Sequence, residues 1–176
     1  MSRFVGHFEI IPRARRAREA IRAIRRRSKL FKKAIADGDA RTIETVSSRA
    51  WDDLTKLFET LRNERDHGYL DDVELSCAVG LLIEPATQQE QALIAAKSKI
   101  DRSHANCGPL NLREALNKLG HYNGDLSTYR VDGRGAHYLV LGGRRGNRYW
   151  VAEILVSRLC KGAASAAKAI RQFPRT

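Results

Sequence analysis

The sequence predicts a mainly α fold: a helical bundle of about five helices, closed by a C-terminal β-hairpin or three-stranded meander and a final helix. Three observations carry this expectation. Helical apolar patterns run through residues 12–123, the period drops to two over 126–153, and an alanine-rich helical stretch fills 154–172. The 176 residues suit a single domain, 1–176, large enough to bury a core without disulfides or a structural metal.

Residues 4–11 read as an extended lead-in, and Pro12 suits the first turn of a helix, where its missing N–H has no partner to lose. The helix runs to Ala36 with Ile21, Ile24, Phe31 and Ile35 on one narrow stripe and arginines over the rest of its surface. Gly38 stops it and Asp39 caps the next helix, Ala40 to His67, whose Ile43, Val46, Ala50, Leu54, Leu57 and Leu61 give the clearest helical pattern in the chain. Residues 70–83 are apolar on most faces after an acidic start, which predicts a central helix with Cys77 filling the core.

Pro85 opens a further expected helix to Arg102 with Leu93, Ile94 and Ile100 inward, and residues 106–109 form a turn. A short helix, Asn111 to His121, completes the bundle. Thr128–Val131, Ala136–Leu141 and Arg148–Ala152 then alternate as strands, the last two joined by the glycine- and arginine-rich residues 142–147.

The formal net charge is +12, and it is segregated. Residues 1–36 hold twelve basic and two acidic side chains, 37–108 hold eight and fourteen, and 109–176 hold twelve and four. Basic ends around an acidic middle can dock on that middle, or can share one surface that attracts a polyanion; the expected partner is nucleic acid, with RNA favoured, or a ribonucleoprotein. Arg15, Arg18, Arg22, Arg25 and Arg26 on the first helix are the first candidate phosphate contacts. Arg130, Arg134, Arg144, Arg145 and Arg148 on the hairpin and its flanks are the second, with Tyr129, Tyr138, Tyr149 and Trp150 interleaved as base-stacking partners or as core.

Two constellations carry acid–base chemistry. The first, Arg62-Asn63-Glu64-Arg65-Asp66-His67, ends the second helix. The second places Arg113, Asn117 and His121 at i, i+4 and i+8, on a polar stripe opposite Leu112, Leu116 and Leu119. Arginine can bind a scissile phosphate, and histidine titrates near neutrality and can move protons to and from ribose and leaving-group oxygens. Each set also has a purely structural account. Glu59, Arg62 and Asp66 are spaced to pair along the helix while His67 complements the helix dipole, and Asn117 and His121 can bond to the loop that follows them.

The Arg62–His67 stretch resembles the R-x4-6-H motif of the HEPN domain, and the Arg113–His121 helix resembles a helix of uncharacterised bacterial HEPN-like proteins, with seven residues between arginine and histidine. The resemblance covers residues 12–123. It implies a small all-helical domain, a homodimer, and a metal-independent ribonuclease of a toxin or antiphage system, with Arg62, Asn63 and His67 or Arg113, Asn117 and His121 as its catalytic residues. The other functional class the sequence suits is a non-enzymatic protein of a phage or mobile element that occupies a nucleic-acid or ribonucleoprotein surface.

Three cysteines, odd in number and without a C-x-x-C pair, suit a reducing cytoplasm. No apolar run is long enough to span a membrane, and the narrow apolar stripe of the first helix disfavours membrane binding. His104, Cys107 and His121 have permissive metal-ligand spacing but no evident fourth ligand, so no metal is expected. The chain has no P-loop, dinucleotide fingerprint, nucleophile elbow or zinc-protease motif, and no cofactor is expected.

Overall fold

The chain builds an α+β fold around a five-stranded antiparallel sheet, which replaces the mainly α bundle that the periodicity suggests. A computed structural model describes residues 13–173; the expected lead-in and Pro12 lie outside them. The elements run α1 (Ala14–Asp37), α2 (Ala40–Asp66), a short 3-10 turn (Asp72–Leu75), β1 (Ala78–Ala86), α3 (Gln88–Lys97), β2 (Cys107–Asn111), α4 (Leu112–Gly120), β3 (Tyr122–Val131), β4 (His137–Arg145), β5 (Arg148–Leu155) and α5 (Val156–Ala169). The strand order is β2-β1-β5-β4-β3.

Both long helices form where their patterns place them. Asp39 accepts from the Thr42 backbone N–H and caps α2. α1 buries Ala17, Ile21, Ile24 and Phe31, although Ile35, two residues from its end, is exposed.

The correction falls on residues 70–111. The expected helix over 70–83 is a 3-10 turn followed by β1, and Cys77, expected in the core, is exposed between them. β1 lies inside the sheet, with Val79 and Leu82 packed into one core cluster and Leu81 and Ile83 into the other, so Ala78–Ile83 is an apolar run with no alternation to betray a strand. The next helix begins at Gln88, not Pro85, because Thr87 and Glu90 make a reciprocal capping box there. It ends at Lys97, with Ile94 buried and Leu93 exposed. Of the expected turn at 106–109, residues 107–109 belong to β2, an edge strand in which Pro109 is tolerated because its missing N–H can face away from β1.

Alternation along β4 and β5 divides the core. Leu139, Leu141, Trp150, Ala152 and Ile154 face α1, α2, α4 and α5. Val140 and Val151 face the other way and pack with Ile83, Ile94 of α3 and Ile100. Four helices therefore cover one face and α3 the other. The β4–β5 hairpin forms as expected, its register running from Tyr138↔Leu155 to Arg145↔Arg148.

Candidate nucleic-acid interface

Three elements far apart in sequence meet at one open cleft of about 570 Å³. Arg62 and Arg65 come from α2; Arg113, Glu114, Asn117 and Lys118 from α4; His121 and Tyr122 follow α4; and Arg144, Arg145 and Trp150 come from the hairpin. Six cations thus surround one carboxylate.

Two close approaches shape this cleft. A side chain at Gly120 would place its Cβ 2.6 Å from the Phe58 ring, so glycine lets the end of α4 reach α2 and sets His121 beside it. A Cβ at Gly143 would lie 2.2 Å from the Trp150 ring, so the hairpin can fold flat over its own tryptophan only with glycine opposite it.

The cations differ in how far they are neutralised. Lys118 is buried in the cleft floor, its Nζ 2.6 Å from Glu84 Oε2, 3.8 Å from Glu114 Oε1 and 4.6 Å from the Trp150 ring centroid. Arg62 and Arg65 share Asp66 at 3.4 and 2.6 Å. The hydrogen bond from Arg65, with the Arg62 contact, holds the Asp66 carboxyl below its ordinary range. Arg113 reaches Asp72 at 2.9 Å. Arg144 donates to the Gly146 carbonyl at 2.6 Å and lies over Tyr149. Arg145 has no partner among the described residues, and it stands directly opposite Arg148 in the ladder. Like charges facing each other across a strand pair destabilise the hairpin unless an anion lies between or above them.

The structure gathers the second acid–base set and divides the first. Arg113, Asn117 and His121 line the cleft together with Arg62, whereas Asn63 and His67 lie outside its lining. His67 bonds through Nδ1 to the Asn63 carbonyl at 2.8 Å, as a residue closing a helix end does. Arg65, Lys118 and Tyr122 were not singled out from the sequence. Arg65 was within reach, since it sits one turn after Arg62 on the same helix face.

The remaining candidates lie elsewhere. Arg130 is half-buried on the α3 side, donating to Glu153 at 2.9 Å and to the Ser98 carbonyl at 3.2 Å and lying over Tyr138. Arg102 donates to the same buried Glu153 at 3.2 Å, so this carboxylate ties the 98–102 loop to the sheet. Arg134 is exposed in the loop before β4. On α1, Arg15 pairs with Glu19 at 2.8 Å and Arg25 donates to the Cys160 carbonyl at 3.3 Å, while Arg18, Arg22 and Arg26 are exposed. His104 bonds to Glu90 at 2.7 Å, and among the described residues no three metal-binding side chains cluster. None of the described helices is long and apolar enough to cross a membrane.

No protein-family model, curated protein or solved structure matches this chain. The all-helical domain implied by the R-x4-H stretch is not the fold observed, and the arginine and histidine of that stretch do not share the cleft.

Proposed function

We propose that this chain binds RNA and holds a single-stranded segment in the cleft between α2, α4 and the β4–β5 hairpin. The observation that carries this reading is the convergence of six cations from three separate elements on one open cleft with a single carboxylate in its lining. Tyr122, stacked on Trp51 at 4.6 Å, and Tyr149, beneath Arg144, stand at its margins as platforms for unpaired bases. A duplex would hide those bases.

A second reading, metal-independent cleavage, rests on the exposed His121 sharing the cleft with Arg113 and Asn117. Among the described residues, His121 is the only histidine in that lining. Cleavage at the ribose oxygen needs one proton removed and another delivered, and the one carboxylate of the lining, Glu114, lies 3.8 Å from the Lys118 ammonium. Binding is therefore the stronger conclusion.

The test is anisotropy of a labelled single-stranded RNA in EDTA with the wild type, Arg144→Ala/Arg145→Ala and His121→Ala. The wild type should bind with a steep salt dependence, and the double variant should bind about tenfold or more weakly at low salt. Intact RNA identifies a binder, cleavage lost in His121→Ala identifies a nuclease, and absence of wild-type binding at low salt overturns both readings.

A further inference from the structure

α1 and α5 lie side by side and antiparallel. Arg25 of α1 donates to the Cys160 carbonyl of α5. Arg13, just before α1, lies over Tyr69, whose carbonyl accepts from the Arg171 N–H just past α5. The N-terminal end of α1 therefore meets the C-terminal end of α5.

Their outer faces form one surface. From α1 it presents Arg18, Arg22, Arg26 and Lys29, all exposed and all without an ion pair among the described residues. From α5 it presents Arg158, Lys161 and Lys168, equally exposed and unpaired. α5 contains no acidic residue, and α1 has only Glu19, engaged by Arg15, and Asp37 at its far end. Each cationic row extends ~15 Å at the helical rise, and packed helices set the rows roughly 8–10 Å apart. None of these residues lines the cleft. Such a concentration of like charge opposes folding, and a folded chain that maintains it carries a surface that a polyanion can neutralise.

We propose that this ridge is a second binding site and that it takes the backbone of double-stranded RNA. The exposed positions in these rows offer arginine, lysine and, on α5, Ser157 and Ser165, but no aromatic ring on which an unpaired base could stack. Two helices packed flush on the sheet present a broad face rather than a projecting helix that could enter the DNA major groove. A wide, shallow minor groove with phosphates on both sides and 2′-hydroxyls between them matches two cationic rows flanked by serine hydroxyls. The site depends on its own charge pattern and stands independently of the cleft.

The experiment compares the full chain with Arg22→Ala/Arg26→Ala/Lys161→Ala and with Arg144→Ala/Arg145→Ala. Each binds a 20-base-pair RNA duplex, the same sequence as DNA duplex, and a single-stranded RNA, over a salt series, with circular dichroism confirming the fold. The wild type should prefer the RNA duplex to the DNA duplex. The triple variant should lose about tenfold or more in duplex RNA affinity and about two to three from the slope of log K against log salt, while keeping its single-strand affinity. The hairpin variant should show the opposite pattern. Unchanged duplex affinity in the triple variant, equal loss on all three ligands, or preference for the DNA duplex overturns the ridge proposal. Loss of single-strand binding in the hairpin variant alone tests the cleft.

Discussion

Lys118 of α4 and Glu84 of β1 form an ion pair at 2.6 Å beneath the cleft, with Lys118 almost wholly buried and its ammonium against the Trp150 ring. The pair joins the helix bearing Arg113 and Asn117 to the sheet bearing the hairpin, so it sets the separation of the cleft walls. Removing one partner leaves a desolvated charge. Lys118→Met or Glu84→Leu alone should each lower stability by about 1–3 kcal/mol in urea denaturation, whereas Lys118→Met with Glu84→Leu should cost less than the sum of the two. Additive losses would show that the two groups do not interact.

Burial and the nearby Lys32 depress His137 from its ordinary value to about 4, and its ring stacks on Phe31 at 4.7 Å and bonds to Ser28 at 2.9 Å. The folded chain therefore keeps this imidazole neutral where the unfolded chain protonates it. The stabilisation is fully present above about pH 6.5 and is lost as pH falls from there toward 4. The total loss is on the order of 3 kcal/mol. Melting curves of wild type and His137→Gln should converge as pH falls through this window, and parallel curves would assign the acid lability to other groups.

How much could be read from the sequence follows from which residues carried an unambiguous period. α1, α2, α4, the β4–β5 hairpin and α5 were legible because each is amphipathic or turn-bounded. β1 was not, since Val79-Gly80-Leu81-Leu82-Ile83 contributes to the core clusters on both faces of the sheet and an apolar run of that length suits a buried helix equally well. Thr87-Gln88-Gln89-Glu90 did mark the true start of α3, and the capping box outweighs Pro85 because it satisfies backbone donors that a proline merely lacks.

The site was legible as residue types and not as a place. Arg113, Asn117 and His121 share a helical stripe that spacing alone reveals, and the arginines at the hairpin tip stand out by composition. That Arg62 joins them depends on the contact between Gly120 and Phe58, which no local pattern announces. Arg130 shows the converse: its type suggested phosphate binding, but its buried partner, Glu153, lies across the sheet and far along the chain.

The three thiols should separate by reactivity. Cys77 is exposed, Cys107 is partly covered with its thiol pushed above the ordinary value by burial, and Cys160 is buried with its thiol pushed up to about 11 by the same cause. Maleimide labelling of the native protein near neutrality should therefore modify Cys77 first, Cys107 more slowly, and Cys160 only when denaturant is added. Rapid native labelling of Cys160 would contradict its place between α1 and the sheet.

Gly143 faces Trp150 across the ladder, and its backbone carbonyl accepts from the buried Gln91 side chain at 2.6 Å. A methyl group there meets the indole with no room to retreat, because the ring also supports Lys118. Gly143→Ala should destabilise the fold by about 1–3 kcal/mol and shift tryptophan emission, whereas the same change at Gly146, where a Cβ meets open space, should leave Trp150 undisturbed despite its strained φ of +58°. Identical spectra for both variants would show that the hairpin does not lie over its tryptophan.

Asp66 is exposed and neutralises Arg62 and Arg65 at the edge of the cleft. Replacing it with asparagine removes the anion, keeps its size and frees both guanidinium groups for phosphate. One full charge some 8 Å from a bound phosphate in water is worth about 0.5 kcal/mol before screening, so Asp66→Asn should tighten single-stranded RNA binding by about two- to threefold at low salt, with the gain fading as salt rises. Duplex binding at the α1–α5 ridge should not change. A weaker grip in Asp66→Asn would mean that Asp66 holds the arginines in their binding posture rather than competing for them, and the cleft would then depend on preorganised geometry more than on net charge.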